Sequence, residues 1–102
     1  KRSLFQAVED FSRYAIDAGC HGIILPGTML NVVLELQTIK VATGVRPDWY
    51  HDDRHEQEAT PATIAEAGAT WAVCGSPVLK YSTMADKIQA LQRILAELQG
   101  TA

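Results

Sequence analysis

Three short apolar runs, each closed at a glycine, decide most of what this chain can fold into. They lie in CHGIILPG, in IKVATG over residues 39–44, and in ATWAVCG over residues 69–75. In the first, Ile23, Ile24 and Leu25 are unbroken by polar alternation and Pro26-Gly27 stops the run. That pattern predicts a parallel strand buried on both faces. Helical patterns separate the runs. Leu4, Val8, Phe11 and Ala15 recur at helical spacing, with Ser3 as N-cap and Gly19 just past the C-terminus. Leu30, Val33, Leu34 and Leu36 predict a helix in TMLNVVLELQT. Thr60 and Pro61 open a short helix that Gly68 ends, and Ile88, Leu91, Leu95 and Leu98 mark a last one.

The order is therefore α-β-α-β-α-β-α, an α/β chain of parallel βα units with right-handed crossovers. Neither a low-complexity stretch nor a Gly/Ser linker divides it, so residues 1–102 read as a single unit. Three parallel strands would leave two unpaired edges, and unpaired edges invite association. A doubly wound sheet usually has more strands and a (β/α)8 barrel has eight. The expectation is a segment of a larger barrel, or a chain that pairs with another copy. The chain opens on lysine and enters a helical pattern almost at once, which fits a segment of a longer protein.

Apolar residues at 47% and charged residues at 21% are ordinary globular proportions and argue against disorder. The net charge of −3 is spread along a mixed sequence without the basic stripe of a nucleic-acid binder. No apolar run approaches the roughly 18 residues of a membrane span. Cys20 and Cys74 are far apart and lie in or beside apolar runs. They read as two buried, reduced thiols of a cytoplasmic protein.

In parallel α/β proteins the working groups gather where strands end. Those ends are Leu25-Pro26-Gly27-Thr28, Thr43-Gly44-Val45-Arg46 and Cys74-Gly75-Ser76-Pro77. Each holds a glycine, which lets an anion approach backbone amides, although a glycine can also simply end a strand. Between Arg46-Pro47 and Thr60-Pro61 lies an acidic loop rich in histidine and aromatic residues. His51, Asp52, Asp53 and His55 offer metal ligands, but no helix or strand spacing orients them. No metal is assigned. The loop reads as a solvated connection, with Trp49 and Tyr50 packing it down. Contact to substrate through His55 or Arg46 is the functional alternative. For Arg46, an ion pair to Asp52, Asp53 or Glu56 is the structural one.

GVRP, an acidic loop and then TPATIAEAGATWAVCGSPV, preceded by DAGCHGIILPGTMLN, resemble the C-terminal part of the orotidine 5′-phosphate decarboxylase family. The resemblance runs in register from about Phe11 to Leu98. It implies the last three strands of a TIM (β/α)8 barrel. It marks phosphate contacts at the positions of His55 and Ser76, and with the strand-end reading the expected phosphate or substrate contacts are Thr43, Gly44, Arg46, His55, Gly75 and Ser76. Several of these depart from the family pattern. His55 stands near the expected loop glutamine, Ser76 at the expected arginine, and Thr43 at the strand-end proline. Lys80 is a nearby charge. The family's Asp-x-Lys-x-x-Asp catalytic motif matches nothing here, and Lys40 and Lys87 lie in other contexts.

The resemblance thus implies a pyrimidine-biosynthesis carboxy-lyase without cofactors that works as a dimer on a nucleotide monophosphate. This chain would supply the phosphate side and be inactive alone. Its partners would be a phosphorylated ligand and either a second copy or the missing N-terminal part of the barrel, with no nucleic acid and no membrane. Two alternatives stand beside it. One is a non-catalytic partial barrel that binds a phosphorylated ligand or self-assembles. The other is a sugar-phosphate lyase of the hexulose or ketogulonate 6-phosphate type, whose relatives use Mg²⁺.

Overall fold

Ser3 opens the first helix as the sequence predicts: its hydroxyl accepts from the amide of Gln6 at 3.1 Å. A computed structural model describes residues 3–50 and 59–100 of the chain. In it α1 spans Leu4–Asp17, and the chain then enters β1, Gly22–Pro26. β2 (Ile39–Thr43) lies parallel to β1, with Gly22 opposite Ile39 and Pro26 opposite Thr43. β3 (Trp71–Ala72) pairs parallel with β2, Val41 opposite Trp71 and Ala42 opposite Ala72. The strand order is β1-β2-β3, the order of the sequence.

Which side of this sheet is covered separates two kinds of α/β fold. Ile23, Leu25 and Ala42 are buried together with Leu30, Val33, Val45, Ala59 and Ile64 in one apolar core. Their neighbours on the opposite face are open: Ile24 is 72% exposed, Trp71 64% and Val73 52%. A doubly wound sheet carries helices on both faces. Here helices pack on one face only, and the strands follow in sequence order, as in a singly wound (β/α)8 barrel. The expectation that Ile23–Leu25 would be buried on both faces is therefore corrected. Burial alternates along β1, because the face that a barrel turns inward has nothing over it within the described residues.

The second predicted helix differs too. Gly27–Val33 forms a 3₁₀ segment that ends in a turn at Leu34–Glu35. Pro26 at its N-cap makes no side-chain hydrogen bond, and the first turn holds no acidic residue. The β-branched Val32 and Val33 oppose helix further. Of the predicted apolar side, Leu30 and Val33 are fully buried and Leu36 packs partly buried against the core, but Leu34 is 52% exposed.

The remaining helices are α2 (Pro61–Glu66), α3 (Ser76–Leu79) and α4 (Met84–Leu98). α2 has a full capping box, in which Thr60 and Thr63 each satisfy the other's backbone amide. α3 was not foreseen in the sequence, although Pro77 in its first turn is the signal that marks helix starts. α4 is capped by Thr83, whose hydroxyl accepts from the Asp86 amide. Cys20 is exposed just past α1 rather than buried, and Cys74 is partly buried; both are free thiols. No helix among the described residues is long and apolar enough to cross a membrane.

Candidate functional site

The exits of β2 and β3 lie side by side, and their hydrogen bonds continue past the paired strand residues. The amide of Val73 donates to the Ala42 carbonyl at 2.8 Å. One step on, the Cys74 thiol lies 3.3 Å from the Val45 carbonyl and donates to it. These two contacts bring Thr43-Gly44-Val45 against Val73-Cys74-Gly75-Ser76. Gly44 takes φ +69°, a left-handed conformation that favours glycine and turns the chain out of β2.

Gly27, at the exit of β1, is packed tightly from the other side. A methyl group on it would lie 2.5 Å from the Ala59 side chain and 3.0 Å from that of Ile64. The base of the acidic loop is closed as well. Val45 bridges Ala59, and the Arg46 amide donates to the Ala59 carbonyl at 2.9 Å. His51, Asp52, Asp53, His55 and Glu56 lie outside the described residues. The structure therefore bears neither on His55 as a ligand contact nor on the ion pairs proposed for Arg46.

Of the residues singled out in the sequence, Thr43, Gly44, Arg46, Gly75 and Ser76 gather at this edge. Thr43, Arg46 and Ser76 are half-buried. Ser76 begins α3, and its carbonyl accepts from the Lys80 amide at 3.0 Å.

A group of cations and rings that the sequence only hinted at lies next to it. The Lys80 ammonium sits 5.0 Å from the centre of the Tyr50 ring, 4.9 Å from Tyr81 and 6.0 Å from Trp49. The Arg46 guanidinium lies 5.6 Å from the Tyr50 ring, and Arg93 lies 4.7 Å from Trp49. Contacts of this kind contribute about 0.5–1 kcal/mol each at exposed sites. Tyr50 is buried and Trp49 half-buried, so both aromatic residues pack down as expected. Burial pushes the Cys74 thiol above its usual range; the Arg46 guanidinium pulls it partly back, and the Glu97 carboxylate adds to the rise. A neutral thiol is a poor nucleophile and a poor metal ligand.

The two lysines that stand nearest to a catalytic role by residue type are turned elsewhere. Lys40 is 4% exposed and shares the helix-covered face of the sheet with Ile23, its partner in register. Its ammonium donates to the Leu34 carbonyl at 3.4 Å. The Lys87 ammonium donates to the Tyr81 carbonyl.

Comparison with known proteins adds to this geometry. The orotidine 5′-phosphate decarboxylase of Caulobacter vibrioides is 31% identical over 100 residues, which are 91% of this chain and 42% of that protein. The one from Opitutus terrae is 34% identical over 91 residues, 86% of this chain and 38% of that protein.

Over the part it spans, the chain is similar to the orotidine 5′-phosphate decarboxylases.

The crystal structure of orotidine 5′-phosphate decarboxylase from Lactobacillus acidophilus matches the fold with a TM-score of 0.75 at 22% identity, covering 96% of this chain and 39% of that one. No protein-family model matches the chain. The chain spans about two fifths of the length of the decarboxylases it matches. That share fits the C-terminal part of the barrel, as the GVRP and TP motifs imply.

Proposed function

We propose that this chain is the phosphate-side segment of an orotidine 5′-phosphate decarboxylase-like enzyme. Its role would be to hold the phosphate of a nucleotide monophosphate at the exits of β2 and β3. The observation that carries this reading is the pair of contacts, Val73 to Ala42 and Cys74 to Val45, that sets Thr43-Gly44 beside Gly75-Ser76. Backbone turned by glycine at adjacent strand ends suits a phosphate, and in (β/α)8 barrels the last βα loops often bind one. Ser76 offers a hydroxyl, a weaker anion ligand than a guanidinium. Lys80 and Arg46, 5.0 and 5.6 Å from the centre of the Tyr50 ring, supply positive charge near it.

The reaction that the family's name implies is conversion of orotidine 5′-phosphate to uridine 5′-phosphate. It requires a carboxylate array that disfavours the substrate carboxylate and a lysine that protonates the developing carbanion. The Lys40 and Lys87 ammonium groups are engaged by the Leu34 and Tyr81 carbonyls, and the family's Asp-x-Lys-x-x-Asp motif matches nothing in the sequence, which supports a reading in which those groups come from outside this chain. The chain alone is expected to turn over no orotidine 5′-phosphate.

Calorimetric titration with uridine 5′-phosphate and with inorganic phosphate tests the binding half. Binding of both is expected, with Lys80→Ala weakening each by about tenfold, the scale of one charge-assisted contact. Binding unaffected by Lys80→Ala and by Ser76→Asp would place the ligand elsewhere. Turnover by the chain alone would overturn the division of labour. Neither the sugar-phosphate lyase reading nor the non-catalytic one is favoured by the comparisons.

A further inference from the structure

A groove of about 290 Å³ lies where α4 passes Trp49 and Tyr81, and neither Thr43-Gly44 nor Gly75-Ser76 lines it. Its lining is Trp49, Tyr81, Asp86, Gln89, Ala90 and Arg93. The last four come from α4 at the i, i+3, i+4, i+7 spacing that gathers side chains on one helix face. Ala90 is buried in the middle of that face and gives the groove a small floor, while Asp86, Gln89 and Arg93 are exposed around it. Trp49 and Tyr81 are only half-buried, so ring surface is open to the groove.

The walls are already fixed. The Trp49 indole is tied to Glu97 and lies under Arg93, and the Tyr81 carbonyl accepts from the Lys87 ammonium. A site set in advance loses little freedom when a ligand arrives. Two polar groups in it have no work within the chain. Asp86 meets Thr83 through its backbone amide and not its carboxylate. Among the described residues, neither that carboxylate nor the Gln89 amide has a hydrogen-bond or ion-pair partner.

Each of these features narrows what can bind. Two rings call for a flat ligand with a π face, and stacking of a nucleobase on an aromatic side chain is favourable for every base. The lining residues carry one carboxylate, Asp86, and one guanidinium, Arg93, so the groove suits an uncharged molecule better than a phosphate. The carboxylate accepts, the guanidinium donates and the amide does both, which asks for a ligand edge with an N–H beside a carbonyl. The volume sits at the lower end for small-molecule sites and admits one or two fused rings.

We infer that this groove is a binding site for a neutral oxo-heterocycle, a free pyrimidine or purine base with a ring N–H next to a carbonyl. Asp86 accepts from the N–H, Arg93 donates to the carbonyl, Gln89 takes the neighbouring edge group, and the base lies against Trp49 and Tyr81. The inference goes beyond the proposed phosphate site and uses none of the strand-exit residues, so the two can fail separately.

The chain's two tryptophans make the test direct. Trp71 is 64% exposed on the open face of the sheet, so in Trp71→Phe the remaining indole fluorescence reports on the groove alone. Titration of that chain with uracil, and separately with hypoxanthine, should quench the fluorescence to saturation. N,N′-dimethyluracil keeps the ring but has no N–H, and it should bind about tenfold more weakly or worse, the scale of one charge-assisted contact. Asp86→Asn should weaken uracil by a similar factor. Gln89→Ala, which leaves the first turn of α4 untouched, should weaken it several-fold and gives a second reading should Asp86→Asn loosen the helix. Ser76→Asp should leave uracil binding unchanged, and Asp86→Asn should leave phosphate binding unchanged. Absence of saturable quenching by both bases would overturn the inference, as would equal binding of the dimethylated ring. Loss of uracil binding in Ser76→Asp would place the base at the strand exits and overturn it too.

Discussion

The indole Nε1 of Trp49 donates to Glu97 Oε1 at 2.9 Å, joining the exit of β2 to α4 across 48 residues of sequence. The Arg93 guanidinium lies over the Trp49 ring and within 3.9 Å of the same carboxylate oxygen. Indole, guanidinium and carboxylate thus form one small network in which each holds the other two. The Glu97 side chain is only about one-fifth exposed, so its carboxylate depends on protein partners. Trp49→Phe keeps a ring under Arg93 but removes the indole donor. The expected loss is about 1–2 kcal/mol by urea unfolding, because a half-buried carboxylate loses a hydrogen bond. A loss no larger than for an exposed phenylalanine elsewhere would show that the bond does not hold the last helix.

Gly27 offers a test of packing at the strand exits. A Cβ there would lie 2.5 Å from the Ala59 side chain, closer than real Cβ atoms come, and a tight 3.0 Å from that of Ile64. Gly27→Ala must displace α2 or the chain around Ala59. It should cost about 1–3 kcal/mol, the range for overpacking a well-filled core. Ala59 also closes the base of the acidic loop through its contacts with Val45 and Arg46. The substitution should therefore weaken phosphate binding in calorimetry along with stability. If stability falls while binding stays unchanged, the loop base is not part of the site.

The sequence made the βα order and the strand ends legible because both are local signals. Gly-stopped apolar runs and helix caps such as Ser3 and Thr60 act within a few residues, and the structure puts them where they were expected. What it hid depends on neighbours far away in the chain. Ile24 reads as core from its own run, yet it is exposed because nothing among the described residues covers its face of the sheet. Lys40 reads as a polar strand residue, and only its register opposite Ile23 buries it. The third strand was predicted over ATWAVCG but pairs regularly only at Trp71–Ala72. Of the candidate site, the glycine turns were visible as motifs. The cluster of Lys80 with Trp49, Tyr50 and Tyr81 was not, since it joins residues some thirty positions apart.

One-sided coverage of the sheet predicts a sharp contrast between two isoleucines, one packed under the covered face and one on the open face. Ile64→Ala removes a side chain that is 1% exposed and should cost about 2–5 kcal/mol. Ile24→Ala, in the same protein, removes one that is 72% exposed and should cost less than about 0.5 kcal/mol. Chemical denaturation of the two variants and the parent chain gives all the values needed. A large cost for Ile24→Ala in the isolated chain would mean that its inner face is already covered.

Cys74 gives the chain a dependence on alkaline pH. Burial raises its pKa above the ordinary value of 9.0, Arg46 opposes the rise and Glu97 adds to it. A thiol whose pKa is raised on folding holds its proton more tightly in the folded state. Its contribution to stability is therefore fully present below pH 9 and is lost as pH climbs through the folded-state value above that. Stability measured by urea unfolding at a series of pH values should fall more steeply above pH 9 in the parent chain than in Cys74→Ala. The two curves should run parallel below that point. Alkylation gives an independent reading, since the exposed Cys20 should react with iodoacetamide well before Cys74 does. Equal alkylation rates together with parallel curves across the whole alkaline range would show that the Cys74 thiol is not held neutral by its surroundings.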